Sequence, residues 1–397
     1  MRLLAAVIIF IPWLLEAQDT HLDEIRRLLT PMRTGQAGDL KARGASPVFT
    51  TVKHRLRDWI ESRLAVLTWN GVRWSPDPVV LQERLNEELN AAGLVCGTGT
   101  KQACQEWSEL GFLGPVGLEM KAGSLLVVTT RVGVQQCGYD DSAYAYRHDE
   151  HEWVRFWESE QNDYVEGKYF PQDLLGVWIS PANYYPRRDR SEHLILTLGR
   201  EPWCASNWHD VYYRVWLTNA ALAAPKLFLD GREWAYVAGD IQGSAEWRDV
   251  LFEFSVSSVE GGFTRPSIHH YRLEGDDLKR VDPVALSPRM FAAFWLTEAH
   301  GSDAWTEAAN RSKLAAWRES NKRLYSEFDE PALHCNKPDL WQVTTYLDDE
   351  RKKGAYFLVR WRPPYRFTMV SVGDRPSEDC TERDPAADER RSVFRSR

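Results

Sequence analysis

The amino-acid sequence predicts a mainly β protein with appended helices, and three observations carry that reading. Apolar runs of strand length recur through the middle of the 397-residue chain, LLVVTT from Leu125, HLILTL from His193 and VLFEFS from Val250. Nineteen residues after each start lies a second run that alternates aromatic and polar side chains, at Tyr144 in AYAYRH, Tyr212 in VYYRVW and His269 in SIHHYRL. A third run closes each unit, Trp153 to Trp157, Lys226 to Leu229 and Leu278 to Val281. Continuous apolar runs bounded by turns suit strands buried on both faces, and alternation suits half-buried ones. The expected architecture is a β-propeller-like array of antiparallel meanders, with stacked antiparallel sheets or a β-sandwich as the alternative. Unit starts lie 68 and 57 residues apart, longer than ordinary propeller repeats of about 40–50 residues.

The elements before the repeats read differently. Arg2, an apolar run from Leu3 to Leu15 and the small Ala17 have the three parts of a secretory signal. Residues 1–17 are expected to be a signal peptide removed after Ala17, which makes the protein secreted or periplasmic. Residues 18–47 read as a linker with a short helical pattern at Leu22, Ile25, Leu28 and Leu29. Residues 48–93 read as a helical hairpin. Its first helix carries Val52, Leu56, Trp59, Ile60 and Leu64. The second starts in Ser75-Pro76-Asp77-Pro78, carries Val80, Leu81, Leu85 and Leu89, and stops at Gly93.

Residues 94–285 form the repeated β-meander domain, and 286–330 a helical segment. Ser287 and Pro288 open a helix holding Met290, Phe291, Phe294, Trp295 and Leu296; a longer helix is expected from Ser302 and Asp303 through Trp305, Leu314, Trp317 and Leu324. Residues 331–380 return to strands, beginning at Trp341, Tyr356 and Phe367. Residues 381–397 carry charges of both signs and almost no apolar side chains, the composition of a disordered tail.

All six cysteines follow the signal, and an even number in an exported chain favours disulfides. Cys137 and Cys204 lie 12 and 11 residues into their units, in matching loops, so a Cys137–Cys204 bond is expected. Cys96–Cys104 then pins a local turn and Cys335–Cys380 fastens the C-terminal segment. The cysteine spacings match no zinc site. A net charge of -8 with interspersed signs repels nucleic acid. No stretch after the signal has the run of about 18 apolar residues that a membrane span needs, so no membrane insertion is expected once the signal is cleaved. The 18 tryptophans suit both core filling and sugar stacking.

Several polar constellations are candidates for chemistry. Asp140 and Asp141 sit in the densest polar stretch, where turn-shaping carboxylates are expected and the spacing of a calcium loop is missing. Glu158, Glu160 and Asp163 in WESEQNDY are the carboxylates from which a glycosidase pair would be drawn. His148 and His151 fall in a hairpin, so no metal site is expected there. Trp203, Asn207, Trp208 and His209 surround Cys204 in the composition of a sugar-stacking site, with His269 on a later strand able to reach the same surface. There is no nucleophile elbow, phosphate-binding loop, dinucleotide fingerprint or HExxH motif, and no cofactor is implied. The expectation is an exported, non-enzymatic binding or scaffold protein whose partner is a glycan or an envelope protein, with an exported glycan-acting hydrolase as the alternative.

Overall fold

The computed structural model describes residues 20–33, 47–68, 77–95, 110–135, 138–149, 152–162, 172–182, 192–201, 206–219, 224–237, 241–257, 264–297, 302–321, 332–346, 354–383 and 393–394. They belong to two compact units, Met1–Gly231 and Arg232–Arg397. Among the described residues, no helix is long and apolar enough to cross a membrane.

In the first unit, helices α1 (20–33), α2 (Val48–Thr68) and α3 (Pro78–Ala91) precede strands β1 (Gly117–Lys121), β2 (Leu125–Gln135), β3 (Gly138–Asp149) and β4 (Glu152–Ser159). Those strands form an antiparallel sheet in the order β1-β2-β3-β4. Strands β5 (Asp173–Ile179), β6 (Glu192–Arg200), β7 (Trp208–Asn219) and the start of β8 (Lys226–Tyr236) follow, each hydrogen bonded to the next in a second sheet.

The period of two along a strand explains how these parts stack. Leu126 and Val128 of β2, with Tyr144 and Tyr146 of β3, join a core made with Ile25, Leu29, Val52, Leu56, Trp59, Leu81 and Leu85 of the helices. The alternate residues Leu125, Val127, Ala143 and Ala145, with Trp157, pack on Val177, Ile179 and Ile195 of the second sheet. The first sheet is thus a middle layer buried on both faces, which is why its strand runs read as continuously apolar.

Helix α3 begins where Asp77 accepts the Val79 N–H at 2.9 Å and Pro78 occupies the first turn. Its polar side covers the edge of the sheet. Asn86 donates to the Val116 carbonyl at 2.9 Å and accepts its N–H at 2.8 Å, while Gln82 accepts the Leu118 N–H at 2.7 Å. These side chains satisfy backbone groups that an edge strand otherwise leaves open.

The second unit completes β8 and adds β9 (Gln242–Ala245), β10 (Asp249–Ser257), β11 (Thr264–Glu274) and β12 (Asp277–Arg280), all antiparallel. Then come α4 (Pro288–Thr297), α5 (Arg311–Asn321) and strands β13 (Leu333–Cys335), β14 (Leu340–Tyr346), β15 (Gly354–Arg362), β16 (Arg366–Gly373) and β17 (Cys380–Arg383), in the order β16-β15-β14-β13-β17. Helix α4 opens where the Ser287 hydroxyl accepts the Met290 N–H at 3.2 Å. It buries Phe291, Phe294 and Trp295 against Trp341, Phe357 and Phe367. Cys335 and Cys380 face each other across β13 and β17 and are disulfide bonded.

Mainly β architecture with antiparallel sheets is therefore present, and the three meanders are β2-β3-β4, β6-β7-β8 and β10-β11-β12. The propeller arrangement is not. The sheets are open, and within the second unit β10 pairs with the end of β8 at Ser255↔Tyr236 and Val256↔Ala235, so the third meander is not closed off as a separate blade. Stacked sheets, the sandwich-like alternative, fit the layering of the first unit.

Other expectations change with tertiary packing. Within the expected linker 18–47, residues 20–33 are helical, with Leu22, Ile25, Leu29 and Met32 buried in the helix core. The long helix expected from Ser302 is instead two short 3-10 turns followed by α5, because Glu307 donates its N–H to the Met369 carbonyl at 2.9 Å and so joins β16. The expected tail, 381–397, opens inside the strand Cys380–Arg383, and in it Val393 is buried with Leu251, Ile268 and Leu286, its N–H bonded to Glu253 at 3.0 Å.

The disulfide spans 45 residues, and a loop of that length lowers unfolded-state entropy enough to stabilise by about 3–4 kcal/mol. Cys335→Ser paired with Cys380→Ser is expected to lower stability by about that amount, measured by urea unfolding of the full chain against wild type under oxidising conditions.

Candidate ligand-binding cleft

The first unit is joined at Asp140 and Asp141, consecutive residues of β3 that point to opposite faces of the sheet. Asp140 faces the helices. Its carboxylate is buried and meets the equally buried Lys53 ammonium of α2 at 2.6 Å, and Lys53 also donates to the Gln161 carbonyl at 2.9 Å. The second Asp140 oxygen accepts the Gln172 N–H at 3.2 Å. Asp141 faces the second sheet, directly across from Arg131 on β2. Arg131 grips it with Nε and Nη2 at 3.1 and 3.0 Å, and Asp141 also accepts the Leu174 N–H at 2.9 Å. The Asp141 N–H donates to the Gln172 carbonyl at 2.7 Å. Two carboxylates therefore bind one helix, one sheet and the entry to β5.

From Asp141 the charges continue outward. Arg131 Nη2 also donates to Asp173 at 3.0 Å, and Arg200 Nε donates to the other Asp173 oxygen at 2.7 Å. Burial pushes the Asp141 carboxyl up to about 7, with Arg131 pulling against it and Asp173 adding to the rise.

Beside this clamp opens a cleft of about 620 Å³. Its floor is one face of β1 and β2, where Gly117 lies opposite Thr129, Glu119 opposite Val127 and Lys121 opposite Leu125. Its wall is the edge strand β5 from Leu174 to Trp178, and Arg131 and Asp141 stand at one end. The half-exposed indole of Trp178 lies over Gly176, where a Cβ would come within 2.2 Å of the ring. Only glycine at 176 lets that ring take its position. At the other end Lys121 pairs with Glu119. Along β2, Val127 and Arg131 are four residues apart, roughly 13 Å at the rise of a strand. The cleft thus has an aromatic face, an apolar middle and an ion pair near each end.

The sequence-selected residues fall in several places. Asp140 and Asp141 form the clamp, and only Asp141 lines the cleft. Glu160 is buried beneath α2. It accepts from Tyr144 at 2.6 Å and Asn162 at 3.1 Å and contacts Arg57 and His54 at 3.4 and 3.2 Å. Burial alone would raise its carboxyl, but Tyr144, Asn162, Arg57 and His54 together hold it below the usual range. Glu158 is partly exposed and pairs with Arg57 and Arg155, both at 3.5 Å. Asn207 is exposed, Trp208 half-buried, and His209 buried with Nδ1 3.0 Å from the Glu201 carbonyl. Burial lowers the His209 imidazole, opposed by that carbonyl. His269 lies in the second unit, stacked on Phe252 at 4.7 Å and within 3.0 Å of Glu233. Asp163, Trp203, Cys96, Cys104, Cys137, Cys204 and His151 lie outside the described residues.

Sequence reasoning missed Lys53, Arg131, Asp173, Arg200, Gly176 and Trp178. Of these, Lys53 carried a signal. It lies four residues after Phe49 and three before Leu56, on the buried side of α2.

No family model matches the chain, and no curated protein matches it. Among solved structures, a glycoside hydrolase overlaps with a TM-score of 0.24 and 10% sequence identity, over 75% of this chain and 84% of that one. A likeness at that TM-score carries no argument about fold or function.

Two outcomes test the clamp. Lys53→Met leaves the buried Asp140 carboxyl without its cation and is expected to cost about 3–5 kcal/mol, read by chemical denaturation; a loss below about 1 kcal/mol would mean that the pair is solvated. Asp141 binds its proton more tightly folded than unfolded, so it contributes stability at acidic pH that is lost as pH rises toward and through 7. Wild type should therefore lose more stability than Asp141→Asn between about pH 5 and pH 8, measured as the difference in Tm slopes.

Proposed function

We propose that this protein binds a carbohydrate in the cleft along β1, β2 and β5, outside the cytoplasm, without hydrolysing it. The observation that carries the reading is an indole face beside a polar fork. Trp178 supplies an apolar platform for a sugar ring, and Arg131 with Asp141 supplies directional hydrogen bonding at one end of the same cleft. The Cys335–Cys380 disulfide fits an oxidising compartment.

Carboxylate geometry separates this from hydrolysis. Asp141 and Asp173 each bind Arg131 Nη2 at 3.0 Å, so their bound oxygens lie within about 6 Å, a spacing found in glycosidases. Arg131 stands between them, however, and its Nε and Nη2 together with the Leu174 N–H occupy three of the roughly four lone-pair positions of the Asp141 carboxylate, holding both its oxygens in the clamp. Glu158 and Glu160 share Arg57 in the same way, and neither lines the cleft. The pairs are engaged as structure, which favours binding over catalysis.

Glycan-array binding by wild type and Trp178→Ala tests the proposal, followed by a reducing-end release assay on every glycan retained. Wild type is expected to bind, with affinity reduced at least about tenfold in the variant, equivalent to about 1.4 kcal/mol. Equal binding by both would move the site out of the cleft, and release of reducing ends by wild type would replace the binding reading with a hydrolase.

A further inference from the structure

We infer that the cleft selects an uncharged glycan chain over an acidic one. This rests on the carbohydrate reading above and specifies the ligand within it. The charged side chains lining the cleft are Glu119, Lys121, Arg131 and Asp141, two acids and two bases, and each is already neutralised by a neighbour. Lys121 pairs with Glu119, two residues away on the same face of β1. Arg131 spends Nε and Nη2 on Asp141 and Nη2 again on Asp173, while Arg200 balances the second Asp173 oxygen.

A ligand carboxylate or sulfate gains from a cation only if that cation is available. At the Arg131 end, an incoming anion meets two carboxylates already in place and must either displace them or sit against their charge. Displacing Asp141 would also strip a bond from Leu174 N–H at the entry to β5. At the other end, an anion must take Lys121 from Glu119. A hydroxyl meets neither obstacle. Arg131 Nη1 has no partner among the described residues and is able to donate to a neutral oxygen without breaking the fork. Neutral pyranose faces also stack on Trp178 without bringing a charge into the apolar middle formed by Val127, Leu174, Val177 and Gly176.

The test is calorimetric titration of the full chain with neutral hexose oligosaccharides and with uronic-acid oligosaccharides of equal length, at low ionic strength where charge effects are largest. Wild type is expected to bind the neutral series at least tenfold more tightly. Glu119→Gln, at an exposed position of the cleft, releases Lys121 and should raise uronic-acid affinity severalfold relative to neutral affinity, read as the ratio of the two Kd values in each protein. Tighter binding of uronic acids by wild type, or no gain with Glu119→Gln, would overturn the selectivity while leaving the carbohydrate reading intact. Binding of neither series would overturn the carbohydrate reading, and this inference with it.

Discussion

Everything in the first unit depends on two adjacent carboxylates on one strand. Asp140 and Asp141 project to opposite faces of β3, and each meets a cation from another element, Lys53 of α2 on one side and Arg131 of β2 on the other. A buried ion pair adds little net stability compared with an apolar replacement, because desolvation offsets the attraction. What it contributes is specificity. Sliding β3 by one residue would send Asp140 toward the second sheet and Asp141 toward the helices, leaving Lys53 and Arg131 facing the wrong side chains. Apolar neighbours such as Ala143 and Ala145 would tolerate such a slip far better than the paired charges do.

The same clamp creates the cleft. Strand β5 is hydrogen bonded to β3 at its entry, through Gln172 and Leu174 on Asp140 and Asp141. Past that point its residues Leu175 to Trp178 become a wall, and the facing surface of β1 and β2 becomes a floor. Val177 and Ile179 turn into the layer between the sheets and keep β5 seated, while Gly176 makes room for the indole two residues on. One short strand therefore serves both the packing between the sheets, through Val177 and Ile179, and the wall of the cleft, through Leu174 to Trp178.

Much of this fold was legible in the sequence because burial on two faces leaves a plain mark. LLVVTT is continuous because the helices cover one side and the second sheet the other, HLILTL is likewise buried along its length, and the hairpin of α2 and α3 was marked by the Asp77-Pro78 start and the Gly93 stop, a glycine at φ 65°. Pairing of β10 with β8 leaves no such mark. It is made by backbone groups, so identical side-chain patterns fit a propeller blade or a continuous open sheet. Helix 20–33 was under-read because its apolar stripe of Leu22, Ile25, Leu29 and Met32 is short, and its burial comes from distant partners. Asp140 and Asp141 could be singled out as a dense polar stretch, but their cations lie 87 and 10 residues away, separations at which charge patterning gives no guide. Trp178 was one tryptophan of 18, and nothing local distinguishes an indole over a glycine from one in a core.

The overlap of clamp and cleft limits how the site can vary. Arg131 and Asp141 hold β5 to the first sheet and also form one end of the cleft proposed to bind ligand, so a change of preference made there would loosen the layers. Trp178, Glu119 and Lys121 carry no such duty: Trp178 rests on Gly176, and the other two are exchanged between one another at the rim. Selectivity is thus separable from stability along the length of the cleft, fixed at the Arg131 end by the architecture and adjustable at the β1 end by single side chains. In the proposed site the hydrogen-bonding fork stays constant while the outer end sets which charge a ligand would be allowed to carry.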